Sequence, residues 1–266
     1  MQCLEKYRSK LVTDTNRQLR VILESPDESA VHDFRVGIKR LRAFYGFLDR
    51  ADEKLSAKIL LKPYRAMFKR LGPIRDAHIA IGLIADLEPA PNPQSKNLTG
   101  LLRSKIRRDY RNFRNLVPND RSISIKLPTI RAAGIPPVAI TRQKSAYLEG
   151  LLSKIQSSET RMSADGWHRK RILLKHYRYT LEAFSLCPGQ VADQRLLKYI
   201  LLLEQLLGDW HDRVVTAELL RSLPATSTSR DPLLQQLKNQ DRMLLGTAKI
   251  YLRKFAQSQM NIQSTK

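Results

Sequence analysis

Four side chains in one short stretch have the types and spacing of an anion site. In VHDFRVGIKRLRAF, residues 31–44, His32, Arg35, Lys39 and Arg42 follow one another at intervals of three, four and three. At about 100° per residue they share an arc of about 80° on a helix, and Phe34, Ile38, Leu41, Tyr45 and Leu48 gather on the other side. The cationic stripe so formed is roughly 15 Å long. Surface helices ordinarily mix acids with bases, because Glu–Lys pairs at i, i+4 stabilise them. Here Asp33 is the only acid between 31 and 48, and it lies off the stripe. Like charges on one arc repel unless a ligand supplies the missing negative charge. Arg offers a planar fork for two phosphate oxygens, Lys a compact mobile charge, and His a donor that strengthens on protonation. For any single helix of this kind, a solvated surface face is the competing reading.

The stripe occurs twice. WHRKRILLKHYRYT, residues 167–180, repeats it as His168, Arg171, Lys175 and Arg178, each displaced by 136 positions. A second pair keeps the same offset: LGPIRDAH at 71–78 and LGDWHDRV at 207–214, with Leu71, Gly72 and Asp76 matched by Leu207, Gly208 and Asp212. Within the second stripe Lys170 replaces Phe34 and His176 replaces Arg40. The binding positions recur better than the packing positions, the reverse of what a purely structural repeat should show. Gly72 with Pro73 predicts a tight turn between two helices, with Asp76 and Asp212 in the first turn of the helix that follows. Each Asp would orient a basic neighbour. Arg75 is the expected ligand contact there, and its counterpart is His211. Lys62, Arg65, Lys69 and Arg70 extend the basic surface, as does the arginine-dense segment 103–114.

No familiar catalytic pattern accompanies these residues. There is no GxxxxGK[ST] loop, GxSxG elbow or HExxH, and no cluster of carboxylates for Mg²⁺. His168 and His176 stand about 12 Å apart along a helix, too far to share a metal. The expectation is a binding protein without catalytic residues, metal or cofactor.

The elements that must position the stripes are helical. Leu4, Tyr7, Leu11, Leu19 and Ile22 mark a first amphipathic helix ending at Pro26, and Ser25 or Asp27 caps a second that runs to about Arg50. Further helices are predicted over about 53–71, 73–87 and 96–116. From 141 helical periodicity runs to about 258, with breaks at CPGQ (187–190) and LPATSTSRDP (223–232). The prolines and glycine of 117–140 make that stretch a connector, in which SISIK (122–126) alternates like a short strand. The expected class is all-α, with two antiparallel helical bundles, 1–116 and 141–266, joined by the Pro-rich connector 117–140. The equivalent helices of the two bundles would face each other about a pseudo-twofold axis.

Charge follows the same division. The 266 residues carry 47 Lys and Arg against 25 Asp and Glu, a net +22. Residues 1–116 hold 24 basic and 13 acidic side chains, and residues 117–266 hold 23 and 12. The charge therefore belongs to the folded body rather than to a tail, and it favours polyanionic partners. Cys3 and Cys187, far apart in sequence, suggest neither a disulfide framework nor a zinc site. The N-terminal segment lacks a signal-peptide core, and YILLL at 199–203 is too short to span a bilayer. The default setting is soluble, reducing and cytoplasmic, without membrane insertion.

The stripe at 31–42, its partner helix in the second half and the LGxxRD or LGxxHD segment after each resemble the CHAD domain, the conserved histidine α-helical domain. The resemblance covers about residues 4–258. It implies two helical bundles around a basic central surface or pore, binding of inorganic polyphosphate, and location on polyphosphate granules with their associated proteins. By position, His32, Arg35, Lys39, Arg40 and Arg42 take the binding roles of the first helix, and His168, Arg171, Lys175 and Arg178 those of the second. CHAD domains are often fused to a triphosphate-tunnel hydrolase domain, for which this chain has no room, so the resemblance does not imply an enzyme. The first rival reading is a nucleic-acid-binding protein, which +22 also permits. Single-strand binding, however, calls for exposed aromatic rings, whereas Phe34 and Tyr45 lie on the apolar arc. A phosphohydrolase is the second rival.

Overall fold

Asp27 rather than Ser25 starts the stripe helix: its Oδ1 accepts from the Ala30 backbone N–H at 2.7 Å, a cap on the turn that Pro26 opens. The computed structural model describes residues 1–51, 55–90, 92–115, 117, 124–131, 134, 136–157, 162–188, 193–225 and 227–263, with backbone only for 227–229 and 256–263. Helices α1 (Gln2–Glu24), α2 (Glu28–Ala51), a short α3 (Ala57–Leu60), α4 (Lys62–Leu87) and α5 (Pro93–Arg114) make up the first half. The second half holds α6 (Pro137–Gln156), α7 (Ala164–Ser185), α8 (Gln194–Ser222) and α9 (Ser227–Gln263). No strand occurs among the described residues, so the class is all-α. None of their helices is long and apolar enough to cross a membrane.

The two stripe helices occupy the middle. α2 packs on α1 and α4 of its own half and on α6 and α7 of the other, while α4 packs on α8. Phe34, Ile38, Leu41, Tyr45 and Leu48, the apolar arc of α2, are all buried, which leaves the stripe on the opposite side. α1 and α2 approach closely where Gly37 faces Thr15: a Cβ on Gly37 would stand 2.3 Å from Thr15 Oγ1. One apolar cluster centres on α1, α2, α4 and α5 but takes in Phe184 of α7, Leu220 of α8 and Leu237 of α9. A second, around Trp167, Leu174, Leu207, Trp210 and Phe255, lies within α6–α9.

Several expected breaks are not there. No turn forms at Gly72–Pro73: α4 runs through it, so Asp76, like Asp212 in α8, sits inside a helix rather than in its first turn. An interior proline removes one helical donor and crowds the carbonyl four residues back, here that of Lys69. Complete burial of Leu71, Ile74, Ala77 and Ala80 outweighs that cost and keeps α4 continuous. α9 likewise absorbs Pro232, so it begins at Ser227 instead of after the expected break at 223–232. α6 begins at Pro137 rather than near 141, because proline at the first helical position lacks only a donor the helix does not use there.

The described end of SISIK, residues 124–126, forms no strand. Its polar groups pair with side chains instead: Asn16 exchanges two hydrogen bonds with the backbone of Ile125, and the Tyr64 hydroxyl two with that of Lys126. Glu5 accepts from Ile130 N–H, and Tyr45 donates to the Pro128 carbonyl. Side chains of α1, α2 and α4 thus hold the connector in place of a strand partner.

The expectation of two separate thiols is also corrected. Cys3 and Cys187 form a disulfide between the start of α1 and the turn after α7, with Cα atoms 5.1 Å apart across 184 residues of sequence. Such bonds persist in oxidising surroundings.

Candidate functional site

Between the two stripe helices lies a cavity of about 300 Å³. Arg35, Lys39 and Arg42 of α2 form one wall, and His168, Arg171, Lys175, His176 and Tyr179 of α7 the other, with Phe68 of α4 and His211 of α8 at the sides. Six of the residues expected from sequence therefore meet in one place: Arg35, Lys39, Arg42, His168, Arg171 and Lys175. Each wall is an amphipathic helix whose buried face fixes its rotation, so spacing along the sequence becomes convergence in space.

The other expected residues lie elsewhere. His32 lies outside the cavity, near enough to Arg75 to feel its charge. Arg75 itself pairs with Glu28 at 2.9 Å. Arg40 points away from the cavity, 3.1 Å from Glu182 of α7. Arg65 and Lys69 lie on α4 outside the cavity, Arg65 close enough to influence Arg42. Arg178 is tied to carboxylates and does not line the cavity.

The two walls hold their cations differently. On the α2 side the Arg35 guanidinium lies 4.2 Å from the centre of the Phe68 ring and donates to the Phe68 carbonyl; Arg42 covers the same ring at 4.6 Å. Gly72 makes room for this, since a Cβ there would meet Arg35 Nη1 at 3.3 Å. Lys39 has neither a hydrogen bond nor an ion pair among the described residues. On the α7 side Lys175 Nζ donates to Glu204 Oε1 at 2.9 Å. Arg178 gives Glu204 a two-pronged contact at 2.6 and 2.9 Å and also bonds Glu182. Arg171 is 3.9 Å from Asp212, and its Nε is buried without a hydrogen-bond partner.

This crowding shifts protonation. Burial, then the charges of Lys175, Arg35 and Arg171, pull Lys39 down from its ordinary 10.5 to about 7. Burial and the neighbouring Arg171 and His168 push His211 to about 4. His32, His168 and His176 are lowered as well, each by burial first and then by nearby cations. Burial raises Asp76, with Asp212 adding to the rise and Arg35 opposing it. The His168 and His211 rings are 4.8 Å apart. No third His, Cys, Asp or Glu among the described residues is placed to complete a metal site with them.

Sequence reasoning missed His211 as a wall residue, although the offset of 136 pairs it with Arg75. It took His176 only as a replacement for Arg40, and it missed Phe68 and Tyr179, whose types carry no anion signal. It also read Lys170 only as a lapse in the packing pattern. Lys170 is buried, and its Nζ donates to the carbonyls of Lys154, Ile155 and Ser157, closing the C-terminal end of α6.

Fold and site together define a helical domain built around a cation-lined cleft between two stripe helices. The family model of the CHAD domain matches residues 6–221, and the chain belongs to that family. Two solved structures share its fold. The crystal structure of the CHAD domain from the plant Ricinus communis superposes with a TM-score of 0.65 at 18% identity, over 96% of this chain and 91% of that one. PptA from Streptomyces chartreusis gives 0.65 at 17% identity, over 96% and 98%. A search of curated proteins finds no match.

Proposed function

We propose that this protein binds inorganic polyphosphate in the cleft between α2 and α7 and does not turn it over. The observation that carries the reading is the convergence of Arg35, Lys39, Arg171 and Lys175 on one cavity, with the Lys39 amine unpaired and pulled down to about 7. Cations packed so closely are an unfavourable arrangement in an empty site and a favourable one around a dense polyanion. Membership of the CHAD family supports the choice of polyphosphate, and location on polyphosphate granules belongs to the same proposal. Base stacking has little to use here. Phe68 is already covered by two guanidinium groups, and Tyr179 is buried beside Arg178 and Arg40.

The test is a salt titration of long-chain polyphosphate and single-stranded DNA at matched phosphate concentration, with wild type and the Arg35→Ala/Arg171→Ala variant. At about 1.5–3 kcal/mol per charged hydrogen bond, the double variant loses ~100-fold or more in affinity. Its log–log salt slope flattens by about 0.7 per lost phosphate contact, the single-strand value. Equal wild-type affinity for both polymers would defeat the polyphosphate assignment. Orthophosphate released with Mg²⁺ or Mn²⁺ and abolished by Arg35→Ala/Arg171→Ala would defeat the non-enzymatic one.

A further inference from the structure

The repeat that duplicates the cationic stripe does not duplicate its surroundings. At the offset of 136, Phe68 corresponds to Glu204 and Gly46 to Glu182. Phe68 lies under Arg35 and Arg42, and Glu204 stands where it holds Lys175 and Arg178, the counterparts of Lys39 and Arg42. Glu204 is only 8% exposed. Burial alone would raise its carboxyl, but the hydrogen bond from Arg178 and the Lys175 charge outweigh burial and hold it below the usual range. It is a fixed anion, contacted by Lys175 of the cavity wall and by Arg178 behind it.

We propose that Glu204 is a built-in counter-anion behind the α7 wall, so that a bound polyanion is held by Arg35, Lys39 and Arg42 of α2 with Arg171 of α7, without Arg178. This rests on the cleft being a polyanion site, whichever polyanion it takes. Glu182 completes the arrangement, since it takes the remaining Arg178 nitrogen and lies 3.1 Å from Arg40. Two residues that the sequence repeat makes equivalent, Arg42 and Arg178, therefore differ in function.

Binding of long-chain polyphosphate and of single-stranded DNA to wild type, Arg42→Met, Arg178→Met and Glu204→Gln, each across a salt series, decides the matter. Arg42→Met is expected to weaken binding about five- to tenfold, and Arg178→Met less than about twofold. Glu204→Gln keeps the shape of the side chain and removes its charge, so affinity rises several-fold at low salt and the slope steepens. Equal losses for Arg42→Met and Arg178→Met would overturn the proposal. So would a folded Glu204→Gln protein with unchanged or weaker binding. If Glu204→Gln does not fold, the comparison of the two arginine variants still decides between the outcomes. A wild type that prefers DNA but keeps the Arg42–Arg178 difference would refute polyphosphate and uphold the asymmetry. A wild type that binds neither polymer would refute both.

Discussion

The two stripe helices start from the same four residue types at the same spacing and end in different electrostatic states. On α2, Arg35 and Arg42 rest on an aromatic ring and a backbone carbonyl, and Lys39 has no hydrogen bond or ion pair among the described residues. On α7, Lys175 and Arg178 are neutralised by Glu204 and Glu182 before any ligand arrives. A repeated motif therefore keeps the placement of charges without keeping their availability. Availability is set by the neighbours of each cation: where the α2 half has Phe68 and Gly46, the α7 half has Glu204 and Glu182.

The largest effect that probes this contrast lies at a buried position of the stripe helices. Phe34 and Lys170 are equivalent by the offset of 136, one fully buried in the core and the other satisfied by three carbonyls. Phe34→Ala should cost about 3–5 kcal/mol. Lys170→Met should cost about 1–3 kcal/mol, because those carbonyls are left to find water. Urea unfolding at neutral pH measures both. Equal costs would show that the two positions are closer in role than their contacts suggest.

Next comes the link between the halves. Cys3→Ser removes a bond that closes 184 residues of chain and should lower stability by about 2–4 kcal/mol, read as a lower urea midpoint without reductant. With reductant, wild type should fall to the level of the variant. A wild type insensitive to reductant would mean that the bond does not hold α1 against the end of α7.

The smallest effect separates the two lysines. In the empty cleft Lys39 is mostly neutral above about 7, and a bound polyanion restores part of its charge, so binding takes up a fraction of a proton. Affinity should therefore rise about three- to tenfold as pH falls from about 9 to about 7 and then level off. His211, which charges near 4 in the empty cleft, adds a further rise only in more acidic solution. Lys39→Arg should abolish the rise above neutral pH, whereas Lys175→Arg, at a position already paired with Glu204, should leave it. Calorimetry in two buffers of different ionisation enthalpy counts the protons directly. A profile that Lys39→Arg leaves unchanged would assign the titration to another group.

The range of each interaction decides how much of the molecule is legible in its sequence. Periodicity along α2 places Phe34, Ile38, Leu41, Tyr45 and Leu48 in the core and the stripe opposite them, because the rotation of a helix is a local property of its sequence. The offset of 136 pairs the two stripes, and the lack of strand patterning points to an all-helical chain. Breaks are less legible. Gly72–Pro73 and Pro232 carry the local signal of a turn, but burial around Leu71 and Ile74 outweighs one missing helical hydrogen bond. The disulfide between Cys3 and Cys187 and the seat of Glu204 under Lys175 and Arg178 depend on groups 184, 29 and 26 residues apart. Sequence by itself determined which faces are apolar and which are cationic. Only the tertiary structure decided which cations remain unpaired, because Coulomb interactions and desolvation depend on distance in space, and helices distant in the chain supply the charges that matter.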